Sequence, residues 1–127
     1  MIRSVVGRIL DSEKFTDSVF QIDNHIRYVA LVDNEYHVLA SKMRDGVPSL
    51  SQEQTDRNFV SIYPPIIVDA CQKLQPFLGK MTAIAIRYDS VFMAFYPANG
   101  HFVVITFDPE VETPFISRVG EAIARLI

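Results

Sequence analysis

Two apolar segments near the C-terminal end constrain the fold more than any other feature of the sequence. Residues 91–95 (VFMAF) and 102–105 (FVVI) are apolar at every position, and an Asn99-Gly100 pair lies between them. Asn-Gly is among the strongest short hairpin signals, because both residues tolerate positive φ. A strand with one solvated face would alternate apolar and polar residues, so these continuous runs predict strands that are covered on both faces. The sequence therefore predicts a β-sheet with helices packed on both sides.

Length, charge and cysteine content narrow the class of protein. The 127 residues suit a single domain over 1–127, and the net charge of −3 comes without any basic cluster, which does not favour nucleic-acid binding. The apolar runs are far shorter than the ~20 residues that span a bilayer, so no membrane association is predicted. The single cysteine, Cys71, cannot form an internal disulfide. We therefore predict a cytoplasmic protein.

The N-terminal part of the sequence predicts helices followed by a hairpin. Apolar residues at helical spacing predict a helical extension over residues 1–11, and a second apolar stripe predicts a helix that ends near Asn24. Two β-rich segments, 27–32 and 37–43, flank a polar turn at Asp33-Asn34-Glu35 and predict a β-hairpin.

The middle of the chain predicts one long helical region. A capping box begins at Ser51, and Gly79 occupies the position that commonly follows a helix, which predicts a helix over 51–78. Pro64-Pro65 interrupts this region, because an internal proline removes a backbone hydrogen bond and clashes with the preceding turn. The pattern leaves open whether one helix is kinked or two helices meet at Tyr63.

The C-terminal part predicts a three-stranded meander followed by a helix. The strands are predicted at 82–86, 91–96 and 102–107, and Thr113-Pro114 opens an amphipathic helix as cap and first helical residue. The full order is α-β-β-α-β-β-β-α. The predicted fold is therefore α+β, with a five-stranded antiparallel sheet and helices on both faces.

The predicted central helix has an unusually wide apolar surface. One stripe contains Phe59, Tyr63, Ile66, Ala70, Leu74 and Phe77, and Ile67 with its neighbours widens it beyond the ~100° that a single-sided surface helix needs. Such a helix is either covered by the N-terminal segment of its own chain or paired with another subunit. We predict a dimer or partner interface that contains Phe59, Tyr63, Ile66, Ile67, Ala70 and Leu74.

The sequence does not suggest enzyme chemistry. It contains neither a glycine-rich phosphate loop nor a recognisable nucleophile with its base, and the histidines lack a partner at metal-ligand spacing. We therefore predict no catalytic, cofactor-binding or metal-binding residue. Acidic residues before the last helix are interpreted as favourable to its dipole, with a cation site or a contact to a basic partner as the alternative; they are Asp108, Glu110 and Glu112.

The order of elements resembles the Roadblock/LC7 superfamily, which has a profilin-like fold. The resemblance covers about residues 12–127 and rests on an apolar strand ending in Val32-Asp33, its hairpin return, a long central helix, a three-stranded meander and an amphipathic C-terminal helix. The stretch 26–32, with Gly79-Lys80 before the meander, looks most like a family of small uncharacterised archaeal proteins.

The resemblance implies a non-enzymatic interaction module. Proteins of this superfamily typically form homodimers or heterodimers through the central helix and an edge strand, and they act on partners such as small GTPases. The alternative is a small-molecule-sensing domain of profilin or PAS type. Its pocket would be lined by aromatic residues of the meander, namely Phe92, Phe95, Tyr96, Phe102 and Phe107.

Overall fold

The computed structural model describes residues 11–48 and 66–126. The predicted extension over residues 1–11 lies almost wholly outside the described residues, as do Phe59, Tyr63 and the Pro64-Pro65 break. Helix α1 (Ser12–Phe20) is followed by strands β1 (Ile26–Val32) and β2 (Val38–Met43), then by a helical segment at residues 66–72 and the short helix α2 (Gln75–Leu78). Strands β3 (Ile84–Arg87), β4 (Phe92–Ala98) and β5 (His101–Phe107) precede helix α3 (Thr113–Leu126).

All five strands form one antiparallel sheet in the spatial order β2-β1-β5-β4-β3. Strand β1 therefore pairs with β5, the central strand of the sheet. The hairpin between β4 and β5 turns at Asn99 and Gly100, whose φ angles of 51° and 81° give the twist that matches the flanking strands. The predicted α+β fold and its five-stranded antiparallel sheet are confirmed.

Both faces of the sheet are buried, as the continuous apolar strands predicted. We call the side that packs against α1 and α3 the first face; Val29, Tyr96 and Ile105 belong to its core. The opposite side is the second face, where Val68 of the helical segment packs with Phe95 and Val104. Neighbouring residues along a strand point to opposite faces, so β1, β4 and β5 contribute to both cores.

The polar turn between β1 and β2 forms as predicted. The carboxylate Oδ1 of Asp33 accepts backbone N–H groups of Glu35 and His37, each at 2.9 Å. Burial on its own would raise the pKa of Asp33, but these hydrogen bonds and the nearby His37 ring hold it below its ordinary value. The side chain therefore replaces backbone hydrogen bonds that the turn cannot make.

Helix α1 ends earlier than the sequence predicted, at Phe20 rather than near Asn24. Arg44, which follows β2, reaches back to this point. Its Nη2 donates to the carbonyl oxygens of Phe20 at 2.8 Å and Asp23 at 2.7 Å, and its Nε donates to that of Ile26 at 2.6 Å. Arg44 thus satisfies the last carbonyl of the helix and two carbonyl groups of the segment that follows, so the backbone can leave the helix without burying them unpaired.

Within residues 66–78, the described part of the predicted helix over 51–78, the helix is interrupted. Residues 73–74 form a turn between the helical segment and α2, and Pro76 lies in the first turn of α2. Proline is tolerated there, but in the interior of a continuous helix it would remove one hydrogen bond and clash with the preceding turn. Gly79 ends α2 with a φ of 92°, which confirms its predicted terminating role.

Candidate functional site

Four large apolar side chains between residues 66 and 78 are exposed. Ile66 is 64% exposed, Leu74 51%, Phe77 82% and Leu78 77%. Val68 on the same segment is fully buried and Ile67 is partly buried against the second-face core. The segment therefore covers the sheet with Val68 and Ile67 and leaves four large apolar side chains exposed. We call Ile66, Leu74, Phe77 and Leu78 the exposed apolar surface.

The turn at residues 73–74 positions the end of this surface. Leu78 donates its backbone N–H to the carbonyl of Leu74 at 2.9 Å, and the side chain of Gln75 accepts the backbone N–H of Met81 at 3.0 Å. These bonds fix α2 as a separate turn whose Phe77 and Leu78 side chains stay out of both cores.

The structure separates the predicted interface residues into three groups. Ile66, Ala70 and Leu74 are exposed, as an interface in the isolated chain requires. Ile67 instead packs partly against its own sheet. Phe59 and Tyr63 lie outside the described residues.

Phe77 belonged to the predicted apolar stripe and Leu78 lay beside it, but neither was among the six named interface residues, although both are highly exposed. Pro76 was the sequence signal that could have identified them. A proline at that position starts a new turn, and a new turn no longer follows the apolar stripe of the preceding helix.

Strand β3 forms one edge of the sheet. Ile84 and Ile86 are partly buried on the second face, whereas Ala85 and Arg87 are exposed. Because β3 pairs only with β4, its outer backbone has no partner strand within ranges 11–48 and 66–126. An unpaired strand edge offers N–H and C=O groups to another strand.

Arg87 holds the end of this edge strand in place. Its guanidinium donates to the carbonyl oxygens of Pro109 at 3.0 Å and Val111 at 2.8 Å, and it lies 4.0 Å from the centre of the Phe92 ring. These contacts fix β3 against the connection between β5 and α3, so the edge is a formed strand.

A second cluster lies where β1 begins and β5 ends. One possible ligand atom from each of His25, Asp108 and Glu110 lies within 4.8 Å of the other two. Asp23 holds the His25 ring through an Oδ1 to Nδ1 distance of 2.6 Å, and Arg27 donates to Asp108 at 3.1 Å.

Charged and hydrogen-bonded neighbours shift the pKa values of His25 and Asp23. The hydrogen bond with Asp23, reinforced by the negative charges of Asp108 and Glu110, raises the pKa of His25. Partial burial alone would raise the pKa of Asp23, but hydrogen bonds from His25 and the charge of Arg44 hold it below its ordinary value. The surrounding carboxylates therefore favour the protonated, positively charged form of the His25 ring.

The aromatic residues proposed for a sensor pocket do not share one side of the sheet. Phe92, Tyr96 and Phe107 belong to the first-face core, whereas Phe95 and Phe102 belong to the second-face core. The sheet itself separates the two groups. They therefore cannot line the single pocket that the sensing alternative requires.

The fold defines the class of protein to which the chain is similar: it is the fold of Roadblock/LC7 domains. No protein-family model matches the sequence, and no curated protein matches it either. No helix among the described residues is long and apolar enough to cross a membrane.

Two of the solved structures with this fold are MglB proteins from different bacteria. The gliding protein MglB from Thermus thermophilus is 19% identical, with a TM-score of 0.64, covering 90% of this chain and 88% of that one. Myxococcus xanthus MglB is 13% identical, with a TM-score of 0.63, covering 89% and 94%.

A Roadblock/LC7 domain from Streptomyces avermitilis is 9% identical, with a TM-score of 0.64, covering 87% and 88%. At these identities the likeness establishes the fold. None of these structures supports the predicted likeness to a family of small archaeal proteins.

Proposed function

We propose that this protein is a non-catalytic interaction module that forms a homodimer through the exposed apolar surface and the edge strand β3. The observation that carries the proposal is the exposure of Ile66, Leu74, Phe77 and Leu78 in the isolated chain. Burying a side chain of this size stabilises an interface by about 1.5–3 kcal/mol. Exposed apolar patches of this kind mark interaction sites in folded proteins.

A second copy of the chain is the occupant that we propose for this surface. Strand β3 has an unpaired backbone edge, and two of its side chains belong to the second face. A two-fold axis would place this edge against β3 of the second copy and the exposed apolar surface against the same surface of that copy. A solved structure with this fold is described as MglB with a tetrameric arrangement, so self-association occurs on this fold.

The partner of the dimer is a further part of the proposal. The resemblance to Roadblock/LC7 domains implies regulatory binding to another protein, with small GTPases as the candidate class. A cytoplasmic location, consistent with the single cysteine, belongs to the same proposal.

The test compares two charge substitutions in otherwise identical chains. Phe77→Asp places a carboxylate in the proposed interface, where each two-fold contact contains the substitution twice. Leu39→Asp is the matched control, because Leu39 is an exposed apolar residue on β2, at the opposite edge of the sheet. Ile67→Asp is unsuitable, since Ile67 packs partly into its own core and its loss would disturb folding.

We expect sedimentation velocity to find Phe77→Asp monomeric with an unchanged far-ultraviolet circular dichroism spectrum, while Leu39→Asp remains a dimer. A dimeric Phe77→Asp variant would place the interface elsewhere. A monomeric wild type whose Phe77→Asp variant unfolds would show instead that the chain itself covers this surface.

A further inference from the structure

The cluster at His25 combines residues from two distant parts of the sequence. The backbone N–H of Asp108 donates to the carbonyl of His25 at 2.9 Å, which continues the pairing between β1 and β5 by one residue. Glu110 follows in the turn where the N–H of Val111 donates to the carbonyl of Asp108 at 3.2 Å. The central pair of strands therefore sets the spacing of His25 and Asp108.

Neighbouring side chains restrict the motion of two of the three residues. Asp23 holds Nδ1 of His25 at 2.6 Å, and the ring of Phe115 packs edge-on against the His25 ring with centres 6.2 Å apart. Arg27 binds one carboxylate oxygen of Asp108 at 3.1 Å, and the other oxygen can accept a further bond. His25 and Asp108 are thus oriented before any ligand arrives.

We propose that His25, Asp108 and Glu110 form a binding site for a divalent zinc ion. In the neutral form of His25, a proton on Nδ1 that is donated to Asp23 leaves the lone pair on Nε2, the nitrogen that we expect to coordinate. A carboxylate behind a metal-bound histidine is the usual outer-shell arrangement, and it fixes both the ring and its tautomer. An imidazole nitrogen with two carboxylate oxygens is a ligand set that Zn²⁺ accepts, with water in the remaining position.

The distances permit this coordination after a small movement. Bonds of about 2.0–2.1 Å in a tetrahedral site place ligand atoms roughly 3.3 Å apart. One ring nitrogen of His25 and one carboxylate oxygen each of Asp108 and Glu110 already lie within 4.8 Å of one another, so the approach that this set requires is at most about 1.5 Å. Glu110 is exposed and can supply most of that movement by changing its rotamer.

The site would join the start of β1 to the connection that leads into α3. A bound ion that contacts only the folded state stabilises that state by mass action. The three ligands are distinct from the residues of the proposed dimer interface. The zinc proposal therefore does not rest on the proposed function.

The test measures binding of zinc chloride to the untagged, chelator-treated protein by isothermal titration calorimetry. We expect one site per chain in the wild type and at least tenfold weaker binding in His25→Ala and in Glu110→Gln. Two controls match these changes: His37→Ala removes another exposed histidine that is paired with a carboxylate, and Glu112→Gln removes an equal charge from the same connection.

Both controls should bind zinc within twofold of the wild type. The variant Asp23→Asn, which removes the carboxylate that holds the His25 ring, should bind zinc about 10–100-fold more weakly. Equal weakening of zinc binding in Glu110→Gln and Glu112→Gln would show that these carboxylates attract zinc only through their charge, and it would overturn the proposal. The absence of one-to-one binding would overturn it as well. If His25→Ala fails to fold, the comparison of Glu110→Gln with Glu112→Gln still decides the outcome, because both residues are exposed.

Discussion

Arg44 gives the sharpest test of how the N-terminal helix is joined to the sheet. Its guanidinium donates three hydrogen bonds, to the carbonyl oxygens of Phe20, Asp23 and Ile26, and it lies 5.2 Å from the centre of the Phe20 ring. The substitution Arg44→Met keeps much of the aliphatic length of the side chain and removes every one of these polar contacts.

The expected loss of stability follows from those contacts. A typical intramolecular hydrogen bond contributes about 0.5–1.5 kcal/mol net, and one with a charged donor more. Arg44 is only partly buried, so water can replace some of what is lost. We therefore expect Arg44→Met to lower the free energy of unfolding by about 3 kcal/mol.

Lys42→Met is the matched control, since it removes the same charge two residues away. The ion pair of Lys42 with Asp17 spans 3.3 Å, but the two side chains are 48% and 54% exposed. Exposed ion pairs contribute about 0.2–1 kcal/mol, so this variant should lose less than 1 kcal/mol.

The assay is urea denaturation followed by circular dichroism, with every variant at one protein concentration because a dimer's stability depends on it. Equal losses in Arg44→Met and Lys42→Met would refute the argument that Arg44 terminates α1. Arg44→Lys should recover less than half of the loss, because an ammonium group lacks the planar fork that reaches three carbonyl groups.

Three further variants test separate parts of the fold. Asp33→Ala should lower the free energy of unfolding by about 1–2 kcal/mol at pH 7. Because the folded pKa of Asp33 is lowered from 3.8, this difference should vanish as the pH falls through that folded value, and a constant difference between pH 7 and pH 2 would contradict it. Tyr96→Phe removes the buried hydrogen bond to the carbonyl of Ile116, 2.7 Å long, and should cost about 1–2 kcal/mol in urea denaturation; no change would show that the bond contributes nothing. Gly120→Ala should destabilise α3 despite alanine's higher helix propensity, since its Cβ would lie 3.0 Å from the buried Tyr96 ring; a raised melting temperature would mean that the ring can move aside.

Local sequence signals predicted most of the sheet. The Asn99-Gly100 pair placed the β4–β5 hairpin, and the continuous apolar runs indicated burial on both faces, which the two cores confirm. Thr113-Pro114 likewise placed the start of α3. These signals depend only on neighbouring residues, so a single sequence contains them in full.

The remaining features depend on contacts between distant residues. The carbonyl of Phe20 at the end of α1 is bound by Arg44, which lies beyond two strands, and the cluster of His25 with Asp108 exists because β1 pairs with β5. Spacing along the sequence cannot show either contact. The break at residues 73–74 is different, because Pro76 is a local signal for it, although the predicted helix continued through it.

The mass of the wild-type protein in solution tests the central claim most directly. Static light scattering, with native mass spectrometry on the same sample, should give about twice the chain mass of 14.4 kDa across a range of concentrations. That result would support a homodimer in which a second copy covers the exposed apolar surface. A mass of one chain at every concentration would contradict the account.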